Sequence, residues 1–239
     1  MTLKGHSKRS TSEMNPIEYS QEVEVTDGSI RLPGNLVLPP DSSGIVIFAH
    51  GSGSSRLSPR NLQVAQSLNQ RGLGTLLFDL LTLSEAEDRE NVFNIPFLAS
   101  RLVTATHWVR NQTQIRKTLP IGYFGASTGG GAALWAAADL GDEISAVVSR
   151  GGRPDLAIPR LREVKAPTLL IVGGDDEAVI EMNQEALQYL TKGNLVIIPG
   201  ATHLFEEPGT LESVSEQARN WFIQNFTSSD KKSAPDHAA

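Results

Sequence analysis

The sequence predicts an α/β fold on an eight-stranded, mostly parallel, doubly wound sheet, and three observations point there. Two patterned runs, 17–25 and 30–38, flank Asp27-Gly28, a strong hairpin signal, and read as an N-terminal antiparallel pair. From Gly44 onward, short runs rich in Val, Ile and Leu alternate with longer segments of helical spacing. Those runs are continuously apolar, as in parallel strands covered on both faces.

The buried runs are 45–49, 74–80, 121–125, 144–148, 168–172 and 195–198. After the first, Ser58-Pro59 has the form of an N-cap followed by an N1 proline, and Gly72 ends that helix. Leu98, Leu102, Ala105 and Val109 mark the next helix by spacing. Val179, Met182, Ala186 and Leu190 mark another, and Leu211, Val214, Ala218, Trp221 and Phe222 the last. No internal repeat is present. Residues 1–14 and 227–239 lack apolar periodicity and read as disordered ends around one domain over 15–226.

Composition narrows the partners. A chain of 239 residues, 39% hydrophobic and 20% charged, suits one domain with one sizeable core. Lys+Arg 21 against Asp+Glu 27 gives a formal charge of −6, so no global field favours nucleic acid or an anionic membrane, and neither is expected as a partner. The lack of cysteine excludes disulfides, thiolate nucleophiles and zinc–thiolate sites, and fits a reducing compartment. The polar, basic start has no apolar core of a secretory signal, which gives a cytoplasmic reading. Residues 119–140 are long and mostly apolar or small, but Ser127, Thr128 and three successive glycines interrupt them, so a strand followed by a helix describes them better than a membrane span.

Open α/β sheets bind ligands at the carboxyl ends of their strands. At one such end stands Gly125-Ala126-Ser127-Thr128-Gly129, a G-x-S-x-G pattern between a predicted strand and a predicted helix. A sharp strand-to-helix turn needs neighbours without bulk and lifts the serine hydroxyl over the sheet edge. Taken alone, the pattern is equally a glycine-rich turn with a capping serine. A serine nucleophile also needs a base. His6 and His237 lie in the ends, and His107 lies within a helix. His50 follows a strand, and His203 lies just past the last one. A carboxylate must orient the base, and Asp176 follows strand 168–172, with Asp175 as the alternative. Alone, His203 is a loop histidine and Asp176 a helix N-cap. Together with Ser127 they form an ordered set of strand tips, Ser, Asp, His, with the chemistry of a catalytic triad. The oxyanion donors expected are the Thr128 amide and the Ser52 amide in the glycine loop after Ala49, with His50 bracing that loop.

The same loop partly imitates a dinucleotide-binding unit, with Asp79 as its ribose-binding acid. Arg56 replaces the third glycine, and Ser58-Pro59 delays the helix, so the imitation is incomplete.

The segments FAHGSGSSRLSPRN, LLFDLLTLSEAE, GYFGASTGGGAALWAA, VVSRGGRPDL and LLIVGGDDEAVIEMN resemble the dienelactone hydrolase-related group of α/β-hydrolases, over Ile17 to about Phe226. The resemblance implies the α/β-hydrolase fold, and its G-x-x-D-x-x-V spacing places the acid at Asp176, three before Val179. Dienelactone hydrolase itself uses cysteine where this chain has Ser127, so the dienelactone substrate does not carry over.

Arg56, Arg60, Arg150 and Arg153 follow strands and crowd the same face. They are candidates to bind a substrate carboxylate or phosphate. The competing expectation is pairing with the acidic loop Glu85, Glu87, Asp88 and Glu90. Only residues 151–166 separate two late strands, too few for a large cap domain, so an open site for small or medium substrates is expected.

The function expected is hydrolysis of a small-molecule carboxylic ester through an acyl-enzyme, without metal or organic cofactor. The alternatives are a non-catalytic binding module, or a thioesterase, peptidase or cofactor-free haloperoxidase on the same three residues. Oligomeric state is left open.

Overall fold

The computed structural model describes residues 20–230. Strand β1 (Ser20–Asp27) turns into β2 (Ile30–Val37) with Asp27 opposite Ile30, and Gly28 takes the turn at φ +55°. Then follow β3 (Ile45–Ala49), α1 (Pro59–Asn69), β4 (Gly74–Phe78), α2 (Leu83–Ala86), α3 (Arg89–Phe93), α4 (Ile95–Asn111) and β5 (Ile121–Ala126). The chain continues through α5 (Thr128–Leu140), β6 (Ile144–Arg150), a 3-10 stretch Pro154–Glu163, β7 (Thr168–Gly173), α6 (Glu177–Leu187), β8 (Gly193–Ile198) and α7 (Thr210–Asp230).

The eight strands form one sheet in the order β1-β2-β4-β3-β5-β6-β7-β8. The β1–β2 and β2–β4 pairs are antiparallel, and every other pair is parallel. After β4 the chain crosses to the far side of β3 to form β5. The loops after β3 and β5 therefore diverge at a topological switch point, where such sheets open a crevice. Alternation along β3 divides the core between two faces. Ile45, Ile47 and Ala49 pack with α4 and α5, whereas Val46 and Phe48 pack with α1 and α7. The expected hairpin, eight strands and lack of a large cap domain are all present among the described residues.

Several boundaries move, for physical reasons. Strand β6 continues past 148 through Ser149 and Arg150, which are polar yet 0% and 7% exposed, so a run of apolar letters understates the strand. Helix α7 continues past 226 to Asp230, and the Thr227 hydroxyl donates to the Ile223 carbonyl at 2.9 Å. The expectations for residues 1–14, the strand start at 17–19 and residues 231–239 lie outside the described residues. The stretch read as an acidic loop folds into α2 and α3. Thr82 and Glu85 form a reciprocal capping box, Asp88 caps α3, and Asn94 caps α4 just ahead of Pro96. The T-x-x-E spacing was the available signal. Among the described residues, no helix is long and apolar enough to cross a membrane.

Helix α7 sits on strand faces left bare by glycine. A Cβ at Gly122 would stand 2.6 Å from Phe222 Cε1, and one at Gly44 would overlap the Phe226 ring. The two phenylalanine rings lie 5.5 Å apart, fully buried. Phe222→Ala is therefore expected to lower the unfolding free energy by about 3–5 kcal/mol. Gly122→Val should destabilise by about 1–3 kcal/mol through overpacking, and urea denaturation measures both.

Candidate active site

The turn between β5 and α5 is built by backbone crowding. Ser127 has φ +53° and ψ −124°, a conformation that L side chains adopt only when the surroundings enforce it. Its flanking glycines are required by contact. A Cβ at Gly125 would stand 2.6 Å from Gly130 Cα, and one at Gly129 would stand 2.6 Å from the His50 carbonyl oxygen. The Ser127 amide donates to the Arg150 carbonyl at 3.2 Å, and its carbonyl accepts from Arg153 N–H at 3.0 Å. The half-buried Ser127 is the N-cap residue of α5, but its side chain makes no capping hydrogen bond. That distinguishes it from a serine present only to cap.

Asp176 also stands at an N-cap position, at the start of α6, and it too makes no capping bond. Its Oδ2 instead accepts from His203 Nδ1 at 2.7 Å. A carboxylate only accepts here, so Nδ1 carries the proton and Nε2 is the free, basic nitrogen of the neutral ring. The neighbouring Asp175 is exposed, and its amide donates to the Ala201 carbonyl. Between the two aspartates, the structure pairs Asp176 with the histidine.

The loop carrying His203 is held from three sides. Gly200 and Phe205 take φ of +69° and +56°, which turns the chain back after β8. The Thr202 hydroxyl and amide donate to Glu207 at 2.6 and 3.1 Å, and these bonds hold the Glu207 carboxyl below its ordinary range. Against the ring lies Gly151, where an added Cβ would be 3.6 Å from His203 Cε1. The β6 loop thus supplies the floor for the histidine, and Arg150 just before it anchors the serine turn.

On the other flank, the loop after β3 comes up to the serine, and a Cβ at Gly51 would be 3.0 Å from Ser127 Cβ. The Ser52 amide donates to Thr128 Oγ1 at 2.9 Å, which ties the two expected oxyanion donors to each other. His50 braces this loop. Its Nε2 accepts from the Leu80 amide at 3.1 Å, so the ring is the Nδ1–H tautomer and donates to the Gly51 carbonyl at 3.0 Å. Burial pushes its pKa below the ordinary imidazole value.

The arginines find partners other than the expected acidic loop. Arg56 donates its amide and guanidinium to Asp79 at 2.7 and 2.6 Å, so both oxygens of the acid considered for ribose binding are engaged. Arg60 meets Glu206 at 3.2 Å, and Arg153 grips Asp155 at 2.9 and 2.8 Å. Glu85 pairs with Arg101 instead. Arg150 is buried under Phe205, its guanidinium 5.8 Å from the ring centre and 3.5 Å from Asn61 Oδ1. Burial, with Arg60 adding to it, pushes its pKa down to about 10.

Beside the serine turn is a cavity of about 180 Å³, lined by residues of the loops after β3 and β4, by α2 and α3, and by Thr128. Among the described residues, no group of three or more His, Cys, Asp or Glu side chains could hold a metal ion.

The His50 environment makes a pH prediction. A depressed native pKa means that protonation favours the unfolded chain. The contribution of His50 is full above about pH 6.5 and is lost as pH falls through the lower native value. Urea unfolding from pH 7.5 to 5 should show stability declining below that point. The decline should be shallower in His50→Gln.

Comparison with known proteins agrees with this architecture. The chain is 56% identical over 213 residues to two curated Mycobacterium tuberculosis proteins, each named "Putative phosphoribosyl transferase". The match covers 89% of this chain but 48% of theirs, so the chain spans about half the length of these curated relatives. A crystal structure of dienelactone hydrolase from Anabaena variabilis superimposes with a TM-score of 0.83 at 56% identity, covering 87% of this chain and 99% of that one. An α/β serine hydrolase without lid from Xanthomonas campestris shares the fold, with a TM-score of 0.70 at 22% identity over 86% of this chain and 94% of that one. The profile of the dienelactone hydrolase family matches residues 32–230. The chain therefore belongs to the dienelactone hydrolase family of α/β-hydrolases, with serine at position 127 in the turn after β5.

Proposed function

We propose that the protein cleaves small or medium carboxylic esters through an acyl-enzyme on Ser127. The observation that carries this reading is the 2.7 Å bond from His203 Nδ1 to Asp176, made at the sheet edge where Ser127 stands in a strained turn. In this reading Ser127 Oγ attacks the ester carbonyl carbon while His203 Nε2 takes its proton. Asp176 stabilises the imidazolium so formed. Negative charge on the carbonyl oxygen is received by the Thr128 amide at the head of α5, whose dipole favours it, and by the Ser52 amide. For the latter, Ser52 N–H shares its proton between Thr128 Oγ1 and the oxyanion. Collapse expels the alcohol, protonated by His203, and leaves the acyl group on Ser127. Water then repeats the sequence with His203 as base.

The ion pairs of Arg56, Arg60 and Arg153 support a structural use of those charges, and a neutral substrate suits the site better than an acidic one. The transferase name belongs to relatives about twice as long and stays with them. Catalysis without a metal or organic cofactor, a cytoplasmic location and a small-molecule ester as partner are part of this proposal.

Turnover of p-nitrophenyl butyrate tests it. Ser127→Ala and His203→Ala should lower kcat by about 10⁴–10⁶-fold, and Asp176→Asn by about 10⁴-fold. Asp175→Asn should change it by less than about threefold, since that side chain faces solvent. Retained activity in Ser127→Ala would overturn the proposal.

A further inference from the structure

The cavity lies on one particular side of the serine. Sheet order places β5, and with it Ser127, between β3 and β4 on one flank and β7 and β8 on the other. Asp176 and His203 come from the β7–β8 flank, whereas the cavity is formed by loops on the β3–β4 flank. In ester cleavage the histidine must hand its proton to the departing oxygen, so the leaving group lies toward β7 and β8. The ester carbon is planar, so with the leaving group toward His203 and the carbonyl oxygen on the Ser52 and Thr128 amides, the acyl substituent is directed away from His203, past those amides on the β3–β4 flank. Resting on the hydrolase reading above, the geometry points to this cavity as the acyl site, built for a short, uncharged alkyl chain.

Its lining supports both adjectives. The wall facing the β3 loop is Leu80, Leu81, Leu83, Ala86, Val92 and Leu98, with Thr82 the polar residue among them. The charged residue in the lining, Asp79, is neutralised by Arg56, and His50 is held neutral by burial. A carboxylate on the acyl chain would lose its hydration there and meet no cation. The volume of about 180 Å³ is below the ~300–1,000 Å³ of sites that enclose a whole drug-sized ligand. A space of that size suits a short acyl chain rather than a long one.

The wall is built in advance of substrate. Glu85 of α2 closes its capping box on Thr82 and also accepts from the buried Arg101 of α4 at 2.5 Å. Asn91 of the α3 segment donates to the Glu85 carbonyl at 3.0 Å. The Arg101 guanidinium in turn lies 4.8 Å from the centre of the Phe97 ring. These contacts fix α2 and α3 over the cavity, so its size is a property of the resting protein.

Two ester series separate the possibilities, one lengthening the acyl chain from acetyl to decanoyl on a constant p-nitrophenol, the other lengthening the alcohol on a constant acetyl group. The native protein should peak among the short acyl chains, fall off well before decanoyl, and turn over p-nitrophenyl hemisuccinate at least about tenfold more slowly than butyrate. Ala86→Phe, at an exposed position of a short helix, should cut the butyrate-to-acetate ratio of kcat/KM by at least about tenfold. Val92→Ala should move the peak to longer chains, and neither variant should alter preference along the alcohol series. Equal loss on all esters, or a change confined to the alcohol series, overturns the acyl assignment while leaving the hydrolase reading standing. If folded native protein hydrolyses no ester in either series, the hydrolase reading fails and the assignment with it.

Discussion

Everything at the site depends on how closely the turn after β5 can approach the loop after β3. Gly129 lies against the carbonyls of Ala49 and His50 with no room for a side chain, and Gly51 lies against Ser127, where an added Cβ would be tight at 3.0 Å. This approach accompanies the positive φ of Ser127 and brings the Ser52 amide within 2.9 Å of Thr128 Oγ1. It also needs the β3 loop to hold its shape. His50 provides that, joined to Leu80 on one side and Gly51 on the other, at the cost of remaining unprotonated. A histidine at a strand tip thus contributes through structure, and in the proposed mechanism the base is His203, past the last strand.

The sheet gives the site two sides with different work. Toward β8 lie the base of the proposed mechanism, His203, and the carboxylate that orients it, Asp176, with the His203 loop clasped by Glu207 and floored by Gly151. Toward β4 lies a small apolar chamber whose charged neighbours are already neutralised. Charge on the catalytic face is consumed within the protein by Arg56–Asp79, Arg60–Glu206 and Arg153–Asp155. The remaining buried cation, Arg150, sits against Phe205 and anchors the serine turn through its carbonyl. An arginine-rich sequence near an active site is therefore compatible with a site that favours neutral substrates.

Much of this was legible in the sequence because local rules govern it. Continuous Val/Ile/Leu runs encode doubly covered strands, Asp27-Gly28 encodes a hairpin, and Gly125 and Gly129 around Ser127 encode a turn that tolerates no Cβ. The placement of Asp176 and His203 at successive strand tips follows from the same alternation. What was not legible depends on distant partners. Arg60 meets Glu206 across 146 positions, and Ser52 meets Thr128 across 76, so no pattern of neighbours reveals either bond. Buried polar strand ends such as Ser149 and Arg150 were hidden for the opposite reason, since the fold covers residues that local polarity marks as exposed. The α2–α3 wall carried a readable signal, the Thr82–Glu85 capping box, within a stretch whose acidic composition suggested a loop.

The central claim is that His203 and Asp176 make Ser127 nucleophilic. Treating the folded protein with a fluorophosphonate, then mapping the adduct by mass spectrometry, tests it without choosing a substrate. A single adduct on Ser127, abolished in a folded His203→Ala variant, is the predicted result. An adduct on another residue, or unchanged labelling without the histidine, would contradict the account.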